Sequence, residues 1–151
     1  TYSDDAPWPE EADGDGKSMI VMAPTGNYSD PLNWSYSVET NGHPGAPTVN
    51  VPDRDSDGWN DAQEYVAGSN PFDAQSTFVV TDTAIDDNGD IVLTWRSSLG
   101  RTYTVQYRSA FGVGTWQNLQ AVPGEDGTTS YTDITVPAGE SRFYRVTASV
   151  P

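Results

Sequence analysis

Six short segments in which apolar and polar residues alternate dominate the second half of this chain. At 91–96, for example, Ile91, Leu93 and Trp95 fall on one face and polar side chains on the other. A period of two is that of an extended strand with one buried face. The segments, separated by turn residues, are 78–83, 91–96, 102–108, 116–121, 130–134 and 143–149. This spacing predicts an all-β fold, a small antiparallel β-sandwich.

The sequence patterns of these segments add a family resemblance. The stretches V-L-T-W-R-S at 92–97, Y-T-V-Q-Y-R-S at 103–109 and F-Y-R-V-T-A at 143–148 resemble an immunoglobulin/fibronectin type III-like sandwich of bacterial surface proteins. The resemblance covers residues 76–151 and implies a spacer or adhesion role. It also implies that Trp95 is the core tryptophan of the second strand and Tyr144 a buried tyrosine of the closing hairpin.

A twelve-residue acidic stretch at 53–64 has the spacing D-x-D-x-D-G-x-x-D-x-x-E of a calcium-binding loop. Alternate carboxylates can converge on one ion while the intervening side chains point away, and Gly58 permits the sharp turn. The last carboxylate can clamp the ion with both oxygens from the start of a helix predicted at 60–67, which Gly68 ends. The predicted ligands are the side chains of Asp53, Asp55, Asp57, Asp61 and Glu64 and the carbonyl of Trp59.

A solvated acidic loop is the alternative interpretation of this stretch, but it does not account for Gly58 and Glu64 standing in register. With the residues that follow, D-R-D-S-D-G-W-N-D-A-Q-E-Y-V-A-G-S-N-P-F-D is similar to the calcium-binding repeats of the thrombospondin type 3 family. In that family an Asn/Asp-Pro-x-Asp segment folds back on the metal. The resemblance therefore implies Asp73 as a further ligand and Ca²⁺ as the cofactor.

Residues 1–50 are rich in turn-forming residues, and only 18–22 and 32–38 have the pattern of strands. The motifs W-P-E-E-A-D-G-D-G-K-S-M-I-V-M-A-P and N-Y-S-D-P-L-N-W-S resemble the end of a bacterial lamin-tail-type, immunoglobulin-like domain. Such a segment lacks part of its sheet. Either the chain is excised from a longer one, or another copy of the protein supplies the missing strands and so builds a homopolymeric fibre.

Charge and cysteine content limit the partners and the compartment. The chain has 22 acidic residues against 7 Lys and Arg, a formal charge of −15, and should repel nucleic acid and anionic lipid. It contains no cysteine and no apolar run long enough for a membrane span. Since disulfides are excluded, a secreted protein must find stability elsewhere, and a bound metal is a common substitute.

The sequence offers no case for an enzyme. The single histidine, His43, lies in a Gly/Pro-rich loop without a nucleophile motif nearby, and the carboxylates concentrate in the metal loop and in turns. Carbohydrate binding is the main alternative function, because exposed aromatic rings can stack on sugars. Trp116 and Tyr131 are the candidates for a surface glycan, with core packing as the competing role for each.

These inferences predict three segments: a partial lamin-tail-like β segment at 1–50, a calcium loop with a short helix at 51–75, and the sandwich at 76–151. The predicted function is that of a secreted, extracellular, non-catalytic structural or adhesive module that calcium stabilises. Asp13-Gly14-Asp15-Gly16 could hold a second cation, but it lacks a downstream glutamate, and a simple turn is favoured.

Overall fold

The computed structural model describes residues 5–42, 51–137 and 139–151. Within these ranges the chain forms eight strands, one α-helix and two 3-10 helices. It divides into two compact units, Thr1–Thr77 and Phe78–Pro151. The predicted segments 1–50 and 51–75 fall in the first unit, while His43 lies outside the described residues. No helix in the described part of the chain is long and apolar enough to cross a membrane.

The second unit consists of two antiparallel sheets of three strands each. One sheet has the order β3 (Val80–Ile85), β4 (Ile91–Ser97), β7 (Gly127–Asp133). The other has the order β6 (Gln117–Pro123), β5 (Thr102–Arg108), β8 (Phe143–Ser149). The predicted all-β, antiparallel fold of this half of the chain is confirmed.

The core of the second unit lies between these sheets. Leu93 and Trp95 of β4 pack with Tyr103 and Val105 of β5, and all four side chains are buried. The ring of Trp95 meets Tyr103 edge-on at 6.0 Å, and Phe78 stacks on Tyr103 at 5.6 Å. The inward positions are those that the alternation in the sequence predicts. Around them pack the partly buried residues Phe78, Ile91, Leu119, Val122, Tyr131, Tyr144, Val146 and Ala148.

A buried carboxylate at the end of β7 links the two sheets. Asp133 accepts hydrogen bonds from the Arg142 Nη1 at 2.7 Å and from the Tyr144 hydroxyl of β8 at 2.9 Å. Its other oxygen accepts from the side chain and backbone of Thr135 at 2.7 and 2.9 Å. Burial alone would raise the pKa of Asp133, but the four hydrogen bonds outweigh it and hold this pKa below its ordinary value. The charged form is thus the one that the fold stabilises.

In the first unit, β1 (Met19–Val21) and β2 (Trp34–Tyr36) form a short antiparallel hairpin. Polar side chains take much of its interior. The amide of buried Asn33 accepts from the Ala23 N–H at 2.8 Å and donates to the Ala23 carbonyl at 3.1 Å. The hydroxyl of buried Ser37 accepts from the backbone of Ser18 at 2.9 Å. Such hydrogen bonds offset the cost of burying these polar side chains.

The helix α1 (Asp61–Ala67) lies within one residue of its prediction, which included Asn60. Asn60 is instead the N-cap: its side chain accepts from the Gln63 N–H at 3.0 Å, and the Gln63 side chain accepts from the Asn60 N–H at 3.0 Å. This reciprocal pair satisfies two of the N–H groups left free at a helix start. Gly68 ends the helix in the left-handed region, with φ of 84°, as predicted.

One predicted strand is shorter than expected. The pattern at 32–38 predicts a strand throughout, but a 3-10 helix at Pro31–Asn33 precedes β2. Asp30 caps this turn by accepting from the Leu32 N–H at 3.0 Å, and Pro31 has the fixed φ that suits a first helical position. Local capping therefore prevails over strand propensity here. A second 3-10 helix, at Glu10–Ala12, was not predicted.

Candidate metal centre

The alternating aspartates of the acidic loop bring their carboxylates together. One carboxylate oxygen from each of Asp53, Asp55 and Asp57 lies within 4.8 Å of the other two. The same side chains shape the loop, since Asp53 accepts from the Gly58 N–H at 3.0 Å and Asp57 from the Trp59 N–H at 2.7 Å. Gly58 has φ of 99°, a conformation that side chains with a Cβ rarely adopt. The turn predicted at Gly58 is therefore present.

Helix α1 contributes a fourth carboxylate. Glu64 is 1% exposed, and its Oε1 accepts a hydrogen bond from the Ser69 hydroxyl at 3.3 Å. Its Oε2 is buried and has no hydrogen-bond partner among the described residues, and the same holds for one oxygen of Asp55 and one of Asp57. A buried polar atom without a partner costs roughly 1–3 kcal/mol, and more when it is charged. A cation bound here could satisfy these three oxygens.

The electrostatics of the site support this conclusion. Burial, followed by the charges of Asp55 and Asp57, raises the pKa of Glu64 to about 7, against the opposing hydrogen bond from Ser69. Burial and the neighbouring charges of Asp57 and Asp53 also raise the pKa of Asp55. Asp55 and Asp57 thus lie close enough to Glu64 for their charges to contribute to its raised pKa. A cation bound there would relieve the repulsion among these groups.

The chemistry of the donors restricts the kind of cation. The four carboxylates of Asp53, Asp55, Asp57 and Glu64 are hard oxygen ligands, and the chain has no cysteine. Hard divalent cations such as Ca²⁺ and Mg²⁺ prefer oxygen, whereas zinc and copper favour sites rich in nitrogen or sulfur. The residues present therefore fit the calcium ion that the motif predicts.

Asp61, also predicted as a ligand, has other partners. It is fully buried, and its Oδ2 accepts from the Arg54 Nε at 2.6 Å and from the Ser35 hydroxyl at 2.6 Å. The Arg54 guanidinium lies 4.1 Å above the ring centroid of Phe72. Asp61 thus connects the loop to β2 and is not one of the three clustered aspartates. The motif predicts neither partner, because it defines only the acidic and glycine positions of the loop and carries no signal for Arg54 or for Ser35, which is 26 residues from Asp61.

The remaining two predicted ligands lie near the loop in sequence. Trp59 follows Gly58, with its side chain 46% exposed. Asp73 is exposed and accepts from the Gln75 N–H at 3.0 Å, an arrangement that forms a local turn. Neither the Trp59 carbonyl nor the Asp73 carboxylate has a described contact with the aspartate cluster, and both stay predictions.

The two carbohydrate candidates have different surroundings. Trp116 is half-buried, with the guanidinium carbons of Arg108 and Arg145 each 4.5 Å from its ring centroid. Tyr131 is partly buried against the core, and burial raises its pKa. Stacking of a neutral sugar requires a free aromatic face, and carbohydrate binding at Trp116 or Tyr131 stays a prediction.

A second group of acids lies earlier in the chain than the loop. Glu10, Glu11, Asp13 and Asp15 line an open depression of about 410 Å³. Among the described residues, none of these four carboxylates has a buried oxygen without a partner. The turn predicted at 13–16 therefore remains the simpler interpretation of this segment.

Comparison with known proteins identifies no relative, so the function of this site is inferred from its geometry. No protein family, no curated protein and no solved structure matches this chain.

Proposed function

We propose that the first unit binds one calcium ion through Asp53, Asp55, Asp57 and Glu64, and that this ion has a structural role in a non-catalytic extracellular module. The observation that carries the proposal is the set of three buried, unpartnered carboxylate oxygens, on Asp55, Asp57 and Glu64. Surface acids hydrate freely and need no such burial. A loop that buries these oxygens together is stable only when something neutralises them.

Calcium is favoured over magnesium by the size of the ligand set. Calcium takes six to eight oxygens in flexible geometry, whereas magnesium requires a near-ideal octahedron and retains several waters. Four carboxylates within one loop and the following helix suit the larger ion. The Trp59 carbonyl and the Asp73 carboxylate are the further ligands that the motif supplies.

The structural consequence of binding follows from the contacts of the loop. Glu64 belongs to α1, and Asp61 at the start of the same helix hydrogen bonds to Ser35 of β2. An ion that fixes the loop therefore also fixes the helix and the hairpin. At about 1 mM calcium, a site with a dissociation constant of about 10⁻⁴ M would add roughly 1.4 kcal/mol to stability.

Terbium luminescence with the full chain tests this proposal, because Tb³⁺ replaces Ca²⁺ at oxygen sites and Trp59 can sensitise its emission. Emission should rise on binding, and calcium should displace the terbium at far lower concentration than magnesium does. The variant Glu64→Gln removes one charge and should weaken binding by on the order of tenfold or more. The matched control is Glu39→Gln, an exposed glutamate outside the loop.

The proposal fails if terbium emission is absent, or if Glu64→Gln and Glu39→Gln bind it equally well. A separate variant, Asp73→Asn, decides whether the segment after the helix contributes a ligand. Weakened binding would add Asp73 to the site, and unchanged binding would confine the site to the loop and Glu64.

The wider role, that of a secreted surface module or of a subunit in a strand-complemented fibre, is part of the same proposal. It is supported by the sheet edges of the second unit, where β3, β7, β6 and β8 each pair with one strand only within the described residues. Open edges are sites at which further strands can add. Electron microscopy and light scattering with calcium and with chelator would detect such fibres.

A further inference from the structure

The sheet β6-β5-β8 differs in charge from the rest of the chain. Its three strands contain no Asp or Glu, although the chain as a whole has 22. In β5, the side chains of Tyr103 and Val105 point into the core. Because side chains alternate along a strand, Gln106 and Arg108 lie on the outer face. In β8 the partly buried Tyr144 and Val146 likewise leave Arg145 on the outer face.

Two arginines converge on one tryptophan at this face. The guanidinium carbons of Arg108 and Arg145 lie 4.5 Å each from the ring centroid of Trp116, which precedes β6. The attraction between guanidinium groups and an aromatic face holds all three side chains in place. This attraction does not neutralise either arginine, so both keep their full positive charge.

Neither of these arginines is paired with a carboxylate within the described residues. The Nε of Arg145 donates to the neutral Gln106 side chain at 2.6 Å, and the buried Nε of Arg108 has no acceptor. By contrast, nearby Arg142 is neutralised by Asp133 at 2.7 Å. In a chain with 22 acidic and 7 basic residues, two adjacent unpaired guanidinium groups are a ready site for oxyanions.

Amide side chains extend the face beside these arginines. Gln106 accepts from Arg145 and donates to the Asn118 Oδ1 at 2.6 Å, which links all three strands of the sheet. Asn118 is exposed, and its side-chain oxygen is the acceptor in this chain of hydrogen bonds. Amides both donate and accept, as the hydroxyl groups of sugars require.

We propose that Arg108, Arg145 and Trp116, with Gln106 and Asn118, bind an anionic polysaccharide. Its carboxylate or sulfate groups pair with the two arginines, and its hydroxyl groups meet the amides. A neutral glycan is a poorer occupant, because the arginines cover the aromatic ring on which it would stack.

The charge of the whole chain argues against denser polyanions. Duplex nucleic acid carries one charge per about 1.7 Å of its axis, and a formal charge of −15 on the protein repels it. In a polysaccharide, neutral hydroxyl-bearing rings separate the charges. Since repulsion from distant acids is screened beyond about 8 Å at physiological salt, the local attraction of the two arginines can prevail.

Dextrans of equal length provide the test: one unmodified, one carboxymethylated and one sulfated. Binding of the full chain is measured by isothermal titration calorimetry and affinity electrophoresis, with calcium and again with chelator. The charged dextrans should bind and the unmodified one should not. Arg108→Gln and Arg145→Gln should each weaken binding roughly tenfold, and 0.5 M salt, about three times physiological, should abolish most of it.

Arg96→Gln is the matched control, because it makes the same charge change on an exposed position of β4 in the other sheet. It should leave binding unchanged, and far-ultraviolet circular dichroism verifies that each variant is folded. Trp116→Phe should retain more binding than Trp116→Ala, since a ring still orders the arginines.

Four results would overturn the proposal. They are no binding of either charged dextran, equal binding of the unmodified dextran, equal loss in Arg96→Gln, and binding that disappears in chelator while ignoring both arginine variants. The last would locate the interaction at the acidic loop through bridging calcium. Concentration-dependent self-association that Arg108→Gln abolishes would instead make a second copy of the chain the occupant.

Discussion

At the scale of single residues, two aspartates of the acidic loop have different roles despite their common motif. Asp57 has a buried oxygen without a partner, whereas Asp61 is enclosed by Ser35 and Arg54. By our proposal the first is a ligand of the cation, whereas the second is half of a buried ion pair. Their substitutions should therefore have different effects.

For Asp57→Asn we expect weaker calcium binding, by on the order of tenfold or more, because the site loses one of its charges. In chelator the variant should be no less stable than the original chain, since one source of repulsion is gone. Calcium titration by calorimetry and thermal unfolding in chelator measure the two effects. A marked loss of stability in chelator would mean that Asp57 has a structural partner instead.

For Asp61→Asn we expect the free energy of unfolding to fall by about 3 kcal/mol, with calcium and without it, because Arg54 would be left buried and unpaired. The Arg54–Asp61 distance is 2.6 Å, and the two side chains are 9% and 0% exposed. Urea unfolding in both conditions provides the measurement. If the loss occurs only with calcium present, Asp61 is a ligand after all.

A third residue, Asp133, makes the stability of the second unit depend on pH. Because its pKa is lowered in the fold, its contribution is complete above the unfolded value of about 3.9 and is lost as the pH falls through the folded value. Asp133→Asn should therefore cost about 3 kcal/mol near neutral pH and progressively less below pH of about 4. If the difference in unfolding free energy between the variant and the original chain stays constant down to acid pH, the proposed role of Asp133 is wrong.

At the scale of elements, helix α1 shows what local sequence determines. Asn60, Gln63 and Gly68 supply the cap, the capping box and the left-handed end, all within nine residues. These signals act between neighbours, so the helix could be predicted. The 3-10 turn at Pro31–Asn33 obeys equally local rules, but its apolar and aromatic residues also suit a strand, and the pattern alone does not decide between them.

The cap of α1 can be tested by itself. Asn60→Ala removes the acceptor for the Gln63 N–H and should lower stability by about 1 kcal/mol. It should also weaken calcium binding modestly, since the helix that carries Glu64 frays at its start. Asn60→Ser keeps an acceptor and should change little. Thermal unfolding and calcium titration of both variants measure these effects. If the serine variant loses as much stability as the alanine variant, the side chain of Asn60 does not act as a cap.

At the scale of the whole molecule, the two units differ in how they are stabilised. The second has an apolar core around Trp95 and Tyr103, whereas the first buries polar side chains such as Asn33 and Asp61 beside apolar ones such as Tyr65 and, by our proposal, binds an ion. Calcium should therefore slow amide hydrogen exchange in the acidic loop, in α1 and in the β1–β2 hairpin. Exchange in the strands β4 and β5 should change much less, and equal protection of both units would contradict the proposed site.

The sequence predicts much of this molecule wherever a pattern repeats or neighbours interact. Alternation placed Ile91, Leu93 and Trp95 on the core side of β4, and motif spacing brought Asp53, Asp55 and Asp57 together as the cluster requires. Contacts between distant segments could not be foreseen. The pairing of Ser35 with Asp61, and of Arg145 with Trp116, depends on how the strands are arranged in space.

The strand order of the second unit also bears on how the chain can fold during its synthesis. β4 pairs with β7, and β5 pairs with β8, so Tyr103 meets its partner Ala148 only after all the residues between them have been made. Pairings so far apart in sequence form slowly, on a scale of milliseconds to seconds. Until β8 arrives, one edge of β5 stays open. A nascent chain should therefore benefit from a chaperone that shields this edge before folding is complete.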